Sequence, residues 1–423
     1  ILLPLSIVIA VILAFNGTPA SFEGKDTITN LQGDTVQVSR GPAAGMIAIK
    51  HLGTNGGGWF GVNSAHPLEN PNYFTNMVEM ISQVLLPLAL IFALGYFLNR
   101  KRLSWIIFGV MTVGMLTFLV PTMISEINGN PAITEMGIDQ SMGSMEGKEV
   151  RFGAAAAAYW SIVTTIISTG SVNSMHDSSM PLSGTMQLLG MMTNAFYGGW
   201  GGLIIKLVII YIIAKFFFWL FVGCATRIGC GVGILNYYIF IIIAVFISGL
   251  MVGRTPEFLG RKIEAREMKI ASIIALLHPL LILAGTALAS WTVVNHADAA
   301  WSVLPGNWLN NPGYHGFSEM LYEFTSASAN NGSGFEGLGD NNIFWNVTTG
   351  FVLIISRFLP IIGPVAIAGI LAQKKYIPES PGTLRTDTGT FGLMTYAVIM
   401  ILAALAFFPA LALGPLAEYF SLY

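Results

Sequence analysis

Apolar runs of bilayer-crossing quality alternate along this chain with short, glycine-rich polar stretches. A crossing needs roughly 20 apolar residues. Candidate runs are Ile1 to Phe15, Val78 to Leu98, Leu103 to Pro121, Leu203 to Val222, Ile234 to Val252, Ile270 to Val293, Ile343 to Leu371 and Phe391 to Leu413. Between them lie two long polar stretches, Asn16 to Arg40 and Ser125 to Arg151, and three polar loops that read alike. The loops are Leu52 to Phe60 (LGTNGGGWF), Ser168 to Ser174 (STGSVNS) and Ala329 to Phe335 (ANNGSGF). Each sets a Ser, Thr or Asn pair directly before a glycine. Each also closes an apolar segment too brief to cross a bilayer, which predicts short helices over Ala43 to His51, Ala154 to Ile167 and Ser318 to Ser328.

Lys and Arg gather in three short connections, Asn99 to Arg102, Gly253 to Lys269 and Gln373 to Arg385. The positive-inside rule makes all three cytoplasmic. The polar loops then all enter from the outside. Each unit reads span, external re-entrant segment, span and internal basic loop, a repeat present three times with one further span at the C-terminus. This divides the single membrane domain into repeats at 1–102, 103–269 and 270–375, followed by a linker and last helix at 376–423. Leu203 to Val222 breaks the scheme, because a crossing there would place the second basic loop outside. It also contains Lys206 and Lys215, each costing a few kcal/mol at the bilayer centre. We therefore read 200–229 as an irregular segment rather than a functional span.

Composition agrees with the pattern. Hydrophobic residues make up 54% and charged residues 10%, against about 25% charged in a soluble domain, and mean hydropathy is +0.67. The chain is expected to be an integral, multi-pass membrane protein. A net charge of −2 argues against nucleic acid as a partner and against a polybasic lipid anchor. Cys224 and Cys230, the only cysteines, suggest neither a disulfide framework nor a metal site. The six histidines include no i, i+4 pair, so no metal other than a transported ion is expected. The chain opens at Ile1 with no basic region before the first run, which does not look like a signal peptide; an N-terminal part is expected to be missing.

Polar backbone at membrane depth is tolerated where it lines a cavity or pore. Repeated around an axis, such backbone can replace the water of a potassium ion with carbonyl oxygens. Glycine reaches positive φ without a Cβ clash, and Gly56, Gly170 and Gly332 hold equivalent places in the loops. Each preceding helix aims its negative end at the ion, a term of about 0.3–1 kcal/mol. No carboxylate lies within the three triplets.

The chain resembles the KdpA family, the potassium-channel-like subunits of bacterial Kdp pumps in the superfamily that includes Trk, Ktr and HKT transporters. The resemblance rests on Ile49 to Pro71 (IKHLGTNGGGWFGVNSAHPLENP), Gly143 to Phe152 (GSMEGKEVRF), Met175 to Ser178 (MHDS), Val252 to Gly260 (VGRTPEFLG), Gly313 to Glu319 (GYHGFSE), Ala327 to Gly334 and Pro409 to Tyr419 (PALALGPLAEY). It implies an all-α polytopic fold of helix–pore loop–helix units around a pseudo-fourfold pore, with a further C-terminal helix. Of four family repeats, this chain would carry the second to the fourth. The implied potassium filter is Thr54, Asn55 and Gly56, Ser168, Thr169 and Gly170, and Asn330, Asn331 and Gly332, three quarters of a ring. The resemblance also implies high-affinity, ATP-driven potassium uptake across the bacterial inner membrane, with K+ passed through an intramembrane tunnel to a KdpB-like P-type ATPase. KdpC-like and small KdpF-like subunits would complete the complex. The stretch from about Trp200 to Gly229 has no counterpart in the family pattern.

Arg357 sits within an apolar span, where an arginine faces protein or water; by resemblance it restrains ion flow below the filter. Arg254, Arg261 and Lys262 are positive-inside anchors or contacts for a partner subunit. Glu69, Asp177 and Glu336 follow their loops and read either as carboxylates that draw cations by local field or as ordinary solvated carboxylates. No nucleotide motif occurs: Gly143 to Glu149 ends in Gly-Lys-Glu, and Asp387 to Thr390 lacks the lysine of a phosphorylated-aspartate motif. The chain is therefore expected not to be an enzyme by itself. The alternatives are a Trk- or Ktr-like channel or symporter without a pump, an intramembrane hydrolase using Ser171 with His176, and a scaffold subunit without transport.

Overall fold

The computed structural model describes residues 2–61, 63–197, 232–251, 253, 256–299, 303–377 and 385–422. The described residues are overwhelmingly helical. In chain order the helices are α1 (Leu2–Phe15), α2 (Ala43–Leu52), α3 (Tyr73–Phe97), α4 (Lys101–Asn128), α5 (Pro131–Glu135), α6 (Gly153–Ile167), α7 (Pro181–Thr193), α8 (Gly233–Met251), α9 (Ala265–Asn295), α10 (Gly313–Ala329), α11 (Ile343–Gln373), α12 (Gly389–Leu413) and α13 (Pro415–Leu422). Two small antiparallel hairpins occur, β1 (Lys25–Thr29) with β2 (Thr35–Ser39) and β3 (Glu257–Phe258) with β4 (Arg261–Lys262).

Among the described residues, six helical stretches are long and apolar enough to cross a membrane: Tyr73–Phe97, Lys101–Glu135, Gly233–Met251, Ala265–Asn295, Ile343–Gln373 and Gly389–Leu413. Their outward faces carry Ile273, Leu276 and Leu280 on α9, Phe351, Ile354 and Phe358 on α11, and Ile401, Leu405 and Phe408 on α12, all exposed. Apolar faces of this extent are untenable against water and natural against lipid. The chain is an all-α, multi-pass membrane protein.

Several boundaries differ from the apolar pattern: α9 and α10 each begin five residues ahead of expectation, at Ala265 and Gly313, and α3 and α4 differ for reasons the structure shows. Helix α3 starts at Tyr73, ahead of the run, because Asn72 and Thr75 form a capping box: Thr75 N–H donates to Asn72 Oδ1 at 3.0 Å and Asn72 N–H to Thr75 Oγ1 at 3.0 Å. Helix α4 runs through Pro121 to Asn128, since proline is tolerated within membrane helices. Its last turn is held by buried Glu126, which pairs with Lys148 at 2.9 Å and accepts from Met180 N–H at 2.9 Å. The run Leu203 to Val222 and both cysteines lie outside the described residues.

In three places a short helix lies against the two helices that flank it: α2 with α1 and α3, α6 with α4 and α7, and α10 with α9 and α11. Close packing uses missing side chains. A Cβ on Gly114 would sit 2.5 Å from the Phe196 ring, and one on Gly285 would sit 2.3 Å from Phe324, as expected where membrane helices pack through small residues. Helix α12 packs across α4, α7 and α8.

Candidate functional site

The three middle helices end in the same way. Their last turns are followed by Thr54 (φ +49°), Ser168 (φ +59°) and Asn330 (φ +57°), all left-handed. In each case the next N–H reaches back five residues: Asn55 to Lys50 O, Thr169 to Thr164 O and Asn331 to Ser326 O, each at 2.9 Å. This is the Schellman closure, made here on polar residues rather than glycine. The chain then turns sharply away, with positive φ at Gly170 (+77°) and Gly332 (+98°). In the first loop that role falls to Gly57 (+82°) rather than Gly56. The run Gly56 to Gly58 lets the reversal slip by one residue.

The loops converge backbone to backbone. A Cβ on Gly56 would lie 2.9 Å from Thr169 O and 3.0 Å from the Gly170 backbone. One on Gly170 would lie 2.1 Å from Asn331 O. Only glycine permits either approach. Side chains add to the contact: Asn331 Nδ2 donates to Thr164 O at 2.7 Å, Ser168 Oγ to Asn194 Oδ1 at 3.2 Å and Asn330 Nδ2 to Ser356 Oγ at 2.8 Å. Thr54, Ser168, Thr169, Asn330 and Asn331 are buried. The nine residues of the three triplets thus lie at the ends of three short helices that meet through their loops.

Behind the first two loops lies a buried polar network that the sequence pattern did not signal. Lys50 on α2 pairs with Glu69 and donates to Asn63 Oδ1 at 2.7 Å and Ser64 Oγ at 3.0 Å. Glu69 also accepts from Trp59 N–H at 3.1 Å and is fully buried. It therefore braces the first loop and presents no charge to incoming cations, contrary to the field role considered from sequence. His51 Nε2 lies 3.0 Å from Ser171 Oγ and 3.6 Å from Glu79 Oε2, all three fully buried. Trp160 Nε1–H donates to Ser171 O at 2.8 Å. Glu79 lies inside the span α3, one residue into the apolar run, where periodicity alone hides it.

The hydrolase alternative fails on geometry. His176 Nδ1 bonds the Tyr322 hydroxyl at 2.7 Å and is not paired with Ser171; burial, with Lys148 nearby, pushes its imidazole down to about 3. The histidine that does meet Ser171, His51, faces Glu79 through the same Nε2. A triad needs the carboxylate on the opposite nitrogen.

Arg357 lies midway along α11, about 21 Å of helix from its start. It is half-buried and makes no ion pair with a described side chain. The preceding Ser356 is the partner of Asn330. Arg261 and Lys262 form strand β4, and Lys374 Nζ donates to Lys262 O at 2.9 Å and pairs with Glu264 at 3.0 Å and Glu267 at 2.9 Å. The second and third basic connections are thereby joined. Arg254 lies outside the described residues. Asp177 pairs with His315 at 2.9 Å, and Glu336 accepts from Asp177 N–H at 3.0 Å.

Residues 1–228 and 225–420 match the family KdpA, potassium-transporting ATPase A subunit. The two stretches meet inside 200–229, the segment whose pattern stood apart. Over 425 residues the chain is 69% identical to the potassium-transporting ATPase potassium-binding subunit of Flavobacterium johnsoniae, covering all of this chain and 69% of that protein. It is 57% identical to the protein of that name in Parabacteroides distasonis and 44% identical to that in Geobacillus kaustophilus, again over all of this chain and 69% and 68% of theirs.

Proposed function

This chain belongs to the KdpA family of potassium-transporting ATPase A subunits, and from that premise we propose that its three converging loops bind external potassium as part of a selectivity filter. Thr54 to Gly56, Ser168 to Gly170 and Asn330 to Gly332 supply the carbonyls. The observation that carries this reading is the backbone approach of Gly56 to Thr169 O and of Gly170 to Asn331 O. Carbonyl oxygens of one loop stand directly beside the glycine of the next, at the negative ends of three helices. Such an array suits a dehydrated monovalent cation and needs no fixed charge within the triplets.

The bound ion then passes through an intramembrane tunnel to a KdpB-like P-type ATPase subunit, with KdpC-like and KdpF-like subunits completing an assembly in the bacterial inner membrane. The ATPase supplies the energy, and this subunit binds no nucleotide. Arg357, in mid-span beneath Asn330, restrains ions that leave the filter. Arg254, Arg261 and Lys262 serve the cytoplasmic face and its partner. A Trk- or Ktr-like channel without a pump is disfavoured, because the relatives are named as ATPase subunits.

The test is potassium uptake in a host deficient in it, with the full-length protein co-expressed with its partners. Gly170→Ala drives a methyl group onto Asn331 O, so growth at micromolar potassium should fail and return at millimolar potassium. Undiminished high-affinity uptake by the variant would overturn the filter assignment.

A further inference from the structure

A polar cavity of about 460 Å3 opens beside the stretch that follows the second loop, lined among others by Asp177, His315, Glu336 and Glu418. Asp177, His315 and Glu319 each bring one potential ligand atom there, and the three atoms lie within 4.8 Å of one another. Glu319 is fully buried: its Oε1 accepts from Asn311 Nδ2 at 2.9 Å, whereas its Oε2 has no hydrogen-bond partner. A buried polar atom is unfavourable without a partner, and Oε2 is open to a ligand.

The gap between the carboxylates exists because residue 337 is glycine. A Cβ there would sit 2.5 Å from Glu319 Oε1 and 2.7 Å from Asp177 Oδ2. The histidine is already oriented. His315 Nε2 faces Asp177 Oδ1 at 2.9 Å, while Nδ1 lies 2.8 Å from Glu418 Oε1 on α13. A carboxylate on the far nitrogen is the outer partner that metal-binding histidines carry.

We propose that Asp177, His315 and Glu319 form a binding site for a borderline divalent cation of the zinc type, with Glu418 as the residue that positions His315. One imidazole with two carboxylates suits zinc, whereas magnesium and calcium favour all-oxygen shells. The cation takes the place of the Nε2 proton between His315 and Asp177, and Nδ1–H stays donated to Glu418. Occupancy links the segment after the second loop to α10 and α13. The ligands lie outside the three loop triplets, so the site stands whether or not those triplets bind potassium.

The test uses the full-length protein purified with its partner subunits in detergent, stripped with a chelator and titrated with Zn2+ by calorimetry. One saturable site per subunit is expected. His315→Gln and Glu319→Gln should each weaken it by about 100-fold or more, and Glu418→Gln by about 10–100-fold. Zinc X-ray absorption on the unsubstituted protein should show a nitrogen–oxygen shell with imidazole scattering, a readout that does not depend on whether a variant folds. Absence of saturable binding, binding unchanged in both ligand variants, or a shell without imidazole would overturn the proposal.

Discussion

Single residues carry most of the precision of the candidate site. Lys50 and Glu69 form a buried ion pair directly behind the first loop, and removing one partner leaves an uncompensated charge. Such a loss destabilises by about 3–5 kcal/mol, so Lys50→Met should lower the thermal stability of the detergent-solubilised protein markedly. A Lys50→Met/Glu69→Leu double variant should recover a good part of that loss, and a double variant as unstable as the sum of the singles would contradict the ion-pair account. Arg357 makes a different prediction. If its charge restrains ions below Asn330, Arg357→Gln should permit rubidium leak through the assembled complex without ATP, with little change in stability. Tight coupling retained in the variant would remove that role.

At the scale of elements, much of the architecture is legible in the sequence because its signals are local. Apolar runs and a Ser/Thr/Asn pair before glycine located the described spans and the three short helices, although α3, α9 and α10 start five residues ahead of expectation and α4 ends seven residues beyond it. What escaped is non-local. Glu69 looks solvated in sequence, yet the fold closes Trp59, Phe60, Ser64 and Lys50 around it. His315 and Asp177 lie far apart along the chain and meet only when the second and third units pack. Helix starts also depended on side-chain caps that hydropathy cannot register, as at Asn72. The joined cytoplasmic connections belong to this scale too. Lys374 and Lys262 hold the Glu264 carboxyl below its usual range. The link contributes stability above the ordinary glutamate pKa and fades as pH falls through the lowered one. Hydrogen exchange at Ile377, whose N–H donates to Gly260 O at 2.9 Å, should therefore accelerate in Lys374→Met at neutral pH. In the parent its protection factor, referred to the intrinsic exchange rate at each pH, should fall only in acid, as Glu264 is protonated.

For the whole molecule, the defining relation is the convergence of three loops from three separate helical units onto one place. Each short helix is braced by two flanking helices, and the first loop leans on the second and the second on the third. In the proposed reading this packing holds carbonyl oxygens around the ion. The most direct measurement is anomalous diffraction from crystals of the full-length protein soaked in rubidium, a heavier stand-in for potassium. The account predicts a rubidium peak bounded by the backbone oxygens of residues 54–56, 168–170 and 330–332, which potassium in excess displaces. Rubidium bound elsewhere, with no density among these loops, would contradict it.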